Sequence, residues 1–214
     1  VTALYSLDNG NNSNWNFGVV GMTNIWTGGV STDWGAAGNW DLGRPPIPTD
    51  SLLIISNGCS YYPLLTASKS VNRLTVLSGG TLRLNGYNLD VSGDAVIAGT
   101  LAASGSETVR FLGNADFTGG TFSNATTTGI VGGTTPQAIT AAGQAFFRLA
   151  VTNAAALVTF ADALQVNYFR SESASIIYGA GVTAGDFRVY AAGGAVTQML
   201  ASGATYSIQE LYLL

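Results

Sequence analysis

The chain has 214 residues, among them 28 Gly, 5 Pro, 8 Lys+Arg, 12 Asp+Glu, one Cys and no His, and carries a formal charge of -4. A hydrophobic content of 47% excludes disorder, because that much apolar surface offsets the entropy of ordering the backbone. The missing histidine excludes Ser-His-Asp and Cys-His chemistry within this chain and nearly all catalytic zinc sites, and one lysine, Lys69, with seven scattered arginines forms no basic stripe, so nucleic acid is not an expected partner.

In chain order, Val1-Thr2-Ala3-Leu4-Tyr5 reads as a strand. Asp8-Asn9-Gly10-Asn11-Asn12 is oxygen-rich but lacks the alternating acids and closing Glu of a calcium loop, so it reads as a turn. Residues 21–65 contain Trp26, Trp34, Trp40 and four of the five prolines, and read as an irregular aromatic cap in which Ser51–Ile55 is the first buried strand. Cys59, alone, forms no internal disulfide and reads as a small buried thiol.

From residue 66 to 214 helix signals are poor and short alternating runs dominate: Leu74–Val76, Thr81–Leu84, Leu89–Val91, Val109–Phe111, Leu149–Val151, Leu164–Val166, Phe187–Val189 and Leu211–Leu213. Leu74, Val76, Leu82, Leu89 and Val91 recur 75 residues later as Leu149, Val151, Leu157, Leu164 and Val166. Gly80-Thr81-Leu82, Gly99-Thr100-Leu101 and Gly120-Thr121-Phe122 recur at spacings of 19 and 21. A period near 20 is about one coil of a β-helix, and such coils must stack because none buries its own apolar face. The expected fold is therefore all-β, a parallel β-solenoid of about six or seven coils after Leu65 and roughly 30 Å of rod. Leu82, Leu101 and Phe122 should stack inside it, Arg83, Asp90 and Arg110 should face water, and Gly79-Gly80, Asn85-Gly86 and Ser92-Gly93 should turn its corners.

The order W-T-G-G (Trp26–Gly29), D-W (Asp33–Trp34), G-N-W (Gly38–Trp40), P-P-x-P-T-D (Pro45–Asp50), Y-Y-P (Tyr61–Pro63), L-T-V (Leu74–Val76) and G-G-T-L (Gly79–Leu82) resembles repeat-rich, adhesin-like surface proteins of bacteria. Gly133-Thr-Thr-Pro-Gln137-Ala-Ile139 is a second matching piece, and the resemblance runs over most of the chain from about Ile25. It implies a right-handed parallel β-helix like their passenger regions, an extracellular structural or adhesive role and no catalytic residue. Residues 1–20 are similar to the end of a preceding module in such proteins. A composition poor in Lys and rich in Gly, Ser, Thr, Asn and Ala fits the same secreted setting. No apolar run approaches the roughly 18 to 20 residues of a membrane span, and no signal peptide precedes Val1, so a mature or excised segment is expected.

Asp90, Asp94 and Asp116 with Arg83 and Arg110 contain the residue types of a calcium-dependent lyase, but the acids share no strand position and read as a solvated face. No two acids stand out as a glycosidase pair. Ser68-Lys69-Ser70 places neighbours on opposite strand faces and makes a poor dyad. Trp26, Trp34 and Trp40 with Tyr61 and Tyr62 form either a flat platform for surface glycans or a plug for the open end of the coil stack. The expectation is not an enzyme, with no metal and no cofactor: a structural or adhesive segment whose partners are further copies stacked end to end into a filament, or neighbouring modules. Leu211–Leu214, apolar and without a polar cover, motivates the stacking. A carbohydrate-binding module using the tryptophans is the alternative, and a β-helix polysaccharide-active enzyme the third reading.

Overall fold

The computed structural model describes residues 2–3, 16–17, 21–56, 58–123, 126–153, 156–172, 175–190, 197–200, 202–203 and 205–214. The turn expected at Asp8–Asn12, together with Val1 and Trp15, lies outside them; Thr2–Ala3 pairs in parallel with Asn16–Phe17. The rest is a parallel β-solenoid. One sheet of nine strands runs from Thr23–Trp26 and Ser51–Ile54 through Arg73–Val76 to Gln198–Leu200, and seven of its strands follow Leu65. A second, of eight, runs from Lys69–Val71 to Tyr206–Leu213. Thr81–Arg83, Thr100–Ala102 and Thr121–Ser123 form a third side.

The 20-residue period is the coil. Thr81, Thr100 and Thr121 are register partners, as are Leu82, Leu101 and Phe122, and these last three are buried while Arg83 is exposed. The glycine of each Gly-Thr-Leu/Phe unit marks a corner where coils nearly touch: a Cβ on Gly99 would sit 2.3 Å from the Leu77 carbonyl oxygen, and one on Gly120 would sit 1.8 Å from that of Ile97. Only a residue without a side chain fits so close a backbone approach.

The 75-residue correspondence does not survive. Leu74 and Val76 lie in the nine-stranded sheet, whereas Leu149 and Val151 lie in the eight-stranded one. Leu157 is half-buried, and its neighbour Val158 takes the interior place. The mismatch has a structural cause: the coil changes shape. After Thr121–Ser123 no further strand joins the third side among the described residues, and the strands of the eight-stranded sheet lengthen from four residues at Thr128–Val131 to seven at Ala145–Val151 and nine at Leu164–Glu172 and Val182–Tyr190. Gln144 splices the two regimes, its Oε1 accepting from the Phe122 amide at 3.0 Å and its Nε2 donating to the Gly120 carbonyl at 2.8 Å.

At corners, where the ladder is interrupted, side chains satisfy the backbone of the adjacent coil. Thr108 N–H donates to Asn88 Oδ1, Asn114 N–H to Asp94 Oδ1, Ala138 N–H to Asn114 Oδ1 and Ala141 N–H to Asp162 Oδ1, each about one coil away. The many Asn and Asp residues between strands thereby replace missing strand partners.

The aromatic segment belongs to the stack. Thr23–Trp26 and Ser51–Ile54 pair with each other, and Ser51–Ile54 pairs with Arg73–Val76. The outer edge of Thr23–Trp26 is covered: Trp26 bridges Trp40 in antiparallel fashion, Thr27 N–H donates to the Asn39 carbonyl, Asp41 N–H to the Ile25 carbonyl and Ile25 N–H to Asp41 Oδ1.

Candidate functional site

Trp26, Trp34 and Trp40 are brought together and enclosed, at 0%, 1% and 3% exposure. The Trp40 ring meets Trp26 edge-on at 4.9 Å and Trp34 at 5.0 Å between centroids. Trp40 Nε1 donates to the Trp34 carbonyl and Trp26 Nε1 to that of Tyr61. Tyr61 touches the cluster through its backbone while its side chain is exposed, and the half-buried Tyr62 donates its hydroxyl to the Gly79 carbonyl. A sugar ring stacks on an aromatic face that solvent reaches, and none of the three indoles offers one.

Two polar side chains organise this end. Asn39, the middle of G-N-W, accepts from the Val30 and Ser31 amides and donates to the Asp33 carbonyl. Asp50, the last residue of P-P-x-P-T-D, is buried and accepts from the Met22 and Ile47 amides and from both terminal nitrogens of Arg44, at 2.6 and 3.0 Å. Burial opposes its ionisation, yet the Arg44 guanidinium and the two amides hold its carboxyl below the usual carboxylate range. Both motifs are scaffolding around the indole cluster. Cys59 is half-buried, its thiol 3.5 Å from the Ile55 carbonyl, and burial pushes its pKa up.

The acids considered for catalysis diverge. Asp90 faces outward on the eight-stranded sheet beside Arg110 at 3.4 Å, Asp94 holds a corner, and Asp116 accepts from the Thr118 amide on the nine-stranded sheet. Among the described residues no cluster of three or more Cys, Asp and Glu is placed to hold a metal ion. Lys69 and Ser70 occupy alternate positions of one strand, Lys69 half-buried and Ser70 exposed, while Ser68 Oγ accepts from the Asn88 amide.

Sequence reasoning missed the outer face of the long strands. Arg148 lies over Phe147 and Tyr168, Arg170 over Tyr190 and Arg188 over Tyr212, at 4.7 to 5.4 Å from ring centroids. Glu172 and Asp186 pair with Arg170 and Arg188 at 2.6 Å. The guanidiniums thus meet ring faces one coil on, a stacking that arginine's planar group favours. Arg148, Arg170 and Arg188 recur at intervals near one coil, which was the available signal. Flanking this ladder, a trough of about 560 Å³ is lined by Phe147, Gln165, Asn167, Tyr168, Thr183 and Asp186 among others.

A second feature is the far end. Tyr206–Leu213 has no strand on its outer side among the described residues, and Leu211 and Leu213, in register with the buried Phe187 and Val189, are 57% and 74% exposed. With Tyr206 and Ile208 they line an apolar recess of about 480 Å³. No helix among the described residues is long and apolar enough to cross a membrane. No protein-family model, curated protein or solved structure matches the chain.

Proposed function

We propose that the chain is a structural or adhesive rod segment of an extracellular surface protein, with its strand edge covered at the tryptophan end and its Leu211–Leu213 strand edge docking a second copy of the chain. The observation that carries the reading is the contrast between the two ends. At one, Trp26 and its neighbours are enclosed and the strand edge is covered by Asn39–Asp41. At the other, Leu211 and Leu213 succeed the buried Phe187 and Val189 on a strand with no outer partner among the described residues, a template for another strand. Support for the surface setting comes from the neutral polar composition and the resemblance of the tryptophan and Gly-Thr-Leu motifs to adhesin-like proteins. Open-ended head-to-tail filament growth from this chain alone needs two complementary ends, and the covered edge of Thr23–Trp26 disfavours it. The open end should instead give association limited to pairs. Sedimentation of the chain is expected to show concentration-dependent dimers that the double variant Leu211→Lys, Leu213→Lys abolishes. A monomer at high concentration in both proteins overturns the reading.

A further inference from the structure

Along the long strands, strict alternation fails once per coil: Phe147–Arg148, Asn167–Tyr168 and Gly185–Asp186 are successive residues that both escape full burial. The interruptions stack, since the pairings resume at Arg148, Tyr168, Asp186 and Glu210 as register partners. Such bulge-like bends re-aim side chains, and here they create the trough. Gly185, mid-strand in the trough, allows a close approach of the neighbouring backbone: a Cβ there would lie 2.8 Å from the Asn167 carbonyl oxygen. One wall is the register row Gln165, Thr183 and Ser207; the other is the row Tyr168, Asp186 and Glu210.

The lining decides the ligand class. Tyr168 is 46% exposed and meets Phe147 edge-on at 5.3 Å, giving an aromatic surface beside carboxamides and hydroxyls that water reaches. The carboxylates of the trough already have donors: Asp186 takes Arg188 at 2.6 Å, and Glu210 takes the Tyr212 hydroxyl at 3.0 Å. Arg148 is drawn over the rings at the rim, so no cluster of cations addresses a polyanion. A peptide strand needs a sheet edge, and Leu164–Glu172 and Val182–Tyr190, which carry most of the trough, are paired on both sides.

We propose that this trough binds a neutral oligosaccharide laid along the rod axis, its pyranose faces packed on Tyr168 and Phe147 and its hydroxyls bonded to Gln165, Asn167 and Asp186. Register rows repeat every strand spacing, about 4.8 Å, so successive coils present hydrogen-bonding groups to successive stretches of one chain. The site is distinct from the tryptophan cluster and, although Ser207 and Glu210 of the last strand contribute to its walls, it does not include Leu211 or Leu213, so its failure would leave the rod reading standing.

The test is calorimetric titration of the full chain with cellohexaose, chitohexaose, mannohexaose and xylohexaose. At least one is expected to bind with a sub-millimolar Kd. Tyr168→Ala and Asn167→Ala are expected to weaken it at least tenfold with an unchanged melting midpoint, Tyr168→Phe to retain it, and Tyr190→Ala, outside the trough, to leave it intact. Gln165→Ala, at an exposed position, serves if Tyr168→Ala fails to fold. No binding by any of the four at millimolar concentration, binding that survives Tyr168→Ala and Asn167→Ala, or tighter binding of a heparin hexasaccharide would overturn the proposal.

Discussion

Glu107 is a buried carboxylate tied into three coils. It accepts from the Gly86, Ser104 and Gly105 amides at 2.6 to 2.9 Å, from the Ser104 hydroxyl, and more weakly from Thr127 Oγ1 at 3.4 Å. Burial alone would raise its pKa; the donated hydrogen bonds outweigh it and lower the pKa from 4.5 to about 2. Because the folded value is depressed, the stabilisation is complete above the unfolded pKa and is lost as pH falls through about 2. Asp50, also held low, acts in the same direction. Glu107→Gln should cost about 1.5 to 3 kcal/mol at neutral pH and flatten the decline of the melting midpoint on acidification; an unchanged acid slope would assign that decline elsewhere. In the indole cluster, Trp34 Nε1 is buried with no hydrogen-bond partner among the described residues, while Trp40 Nε1 is bonded. Trp40→Phe should therefore destabilise more than Trp34→Phe by about 1 kcal/mol, and Trp40→Ala should cost about 3 to 5 kcal/mol, both measurable by chemical denaturation.

At the scale of strands and coils, the columns make a sharp contrast between adjacent residues. Leu82 lies in a dry column between its register partner Leu101 and the coil below, and Arg83 points to water. Leu82→Asp buries an unpaired carboxylate and should lose several kcal/mol, whereas Arg83→Asp should stay within about 0.5 kcal/mol; equal melting midpoints would show the register to be wrong. These columns were legible because Gly-Thr-Leu/Phe encodes three constraints at once: close backbone approach, an outward hydroxyl and an inward apolar residue. Of the eight short runs named from alternation, seven lie wholly on strands and Thr81–Leu84 runs one residue past the strand Thr81–Arg83. The 75-residue repeat misled because period-two alternation is common to every sheet, so Leu74 and Leu149 look alike although different sides of the coil hold them. The bends at Asn167 and Gly185 were illegible for the opposite reason. Two adjacent outward residues inside a strand look like an ordinary loss of periodicity, and the trough they line exists only once coils stack.

Across the whole molecule, the polarity of the rod follows from how each end treats its backbone. Ile25 and Thr27 donate their amides to Asp41 and Asn39, and Met22 donates to Asp50, so donors along the Thr23–Trp26 edge are engaged by the chain itself. That arrangement was only partly visible in the sequence: the tryptophans signalled enclosure, but G-N-W and P-P-x-P-T-D gave no sign that Asn39 and Asp50 would organise the loops covering the edge. The opposite end has an apolar column and no comparable polar cover among the described residues, with Leu211 succeeding Phe187 and Leu213 succeeding Val189. Hydrogen exchange reads this difference directly, since amides exchange through local opening and an edge strand opens without disturbing the coils beneath it. Amides of Thr23–Trp26 should exchange at rates set by unfolding of the stack, while Tyr206–Leu213 exchanges much faster in dilute solution and slows as the open ends meet at higher concentration. Leu211→Lys with Leu213→Lys should remove that concentration dependence and leave protection around Trp26 untouched. Strong protection of Tyr206–Leu213 at every concentration would mean that this strand edge is already covered, and the proposed pairing through it would then fail.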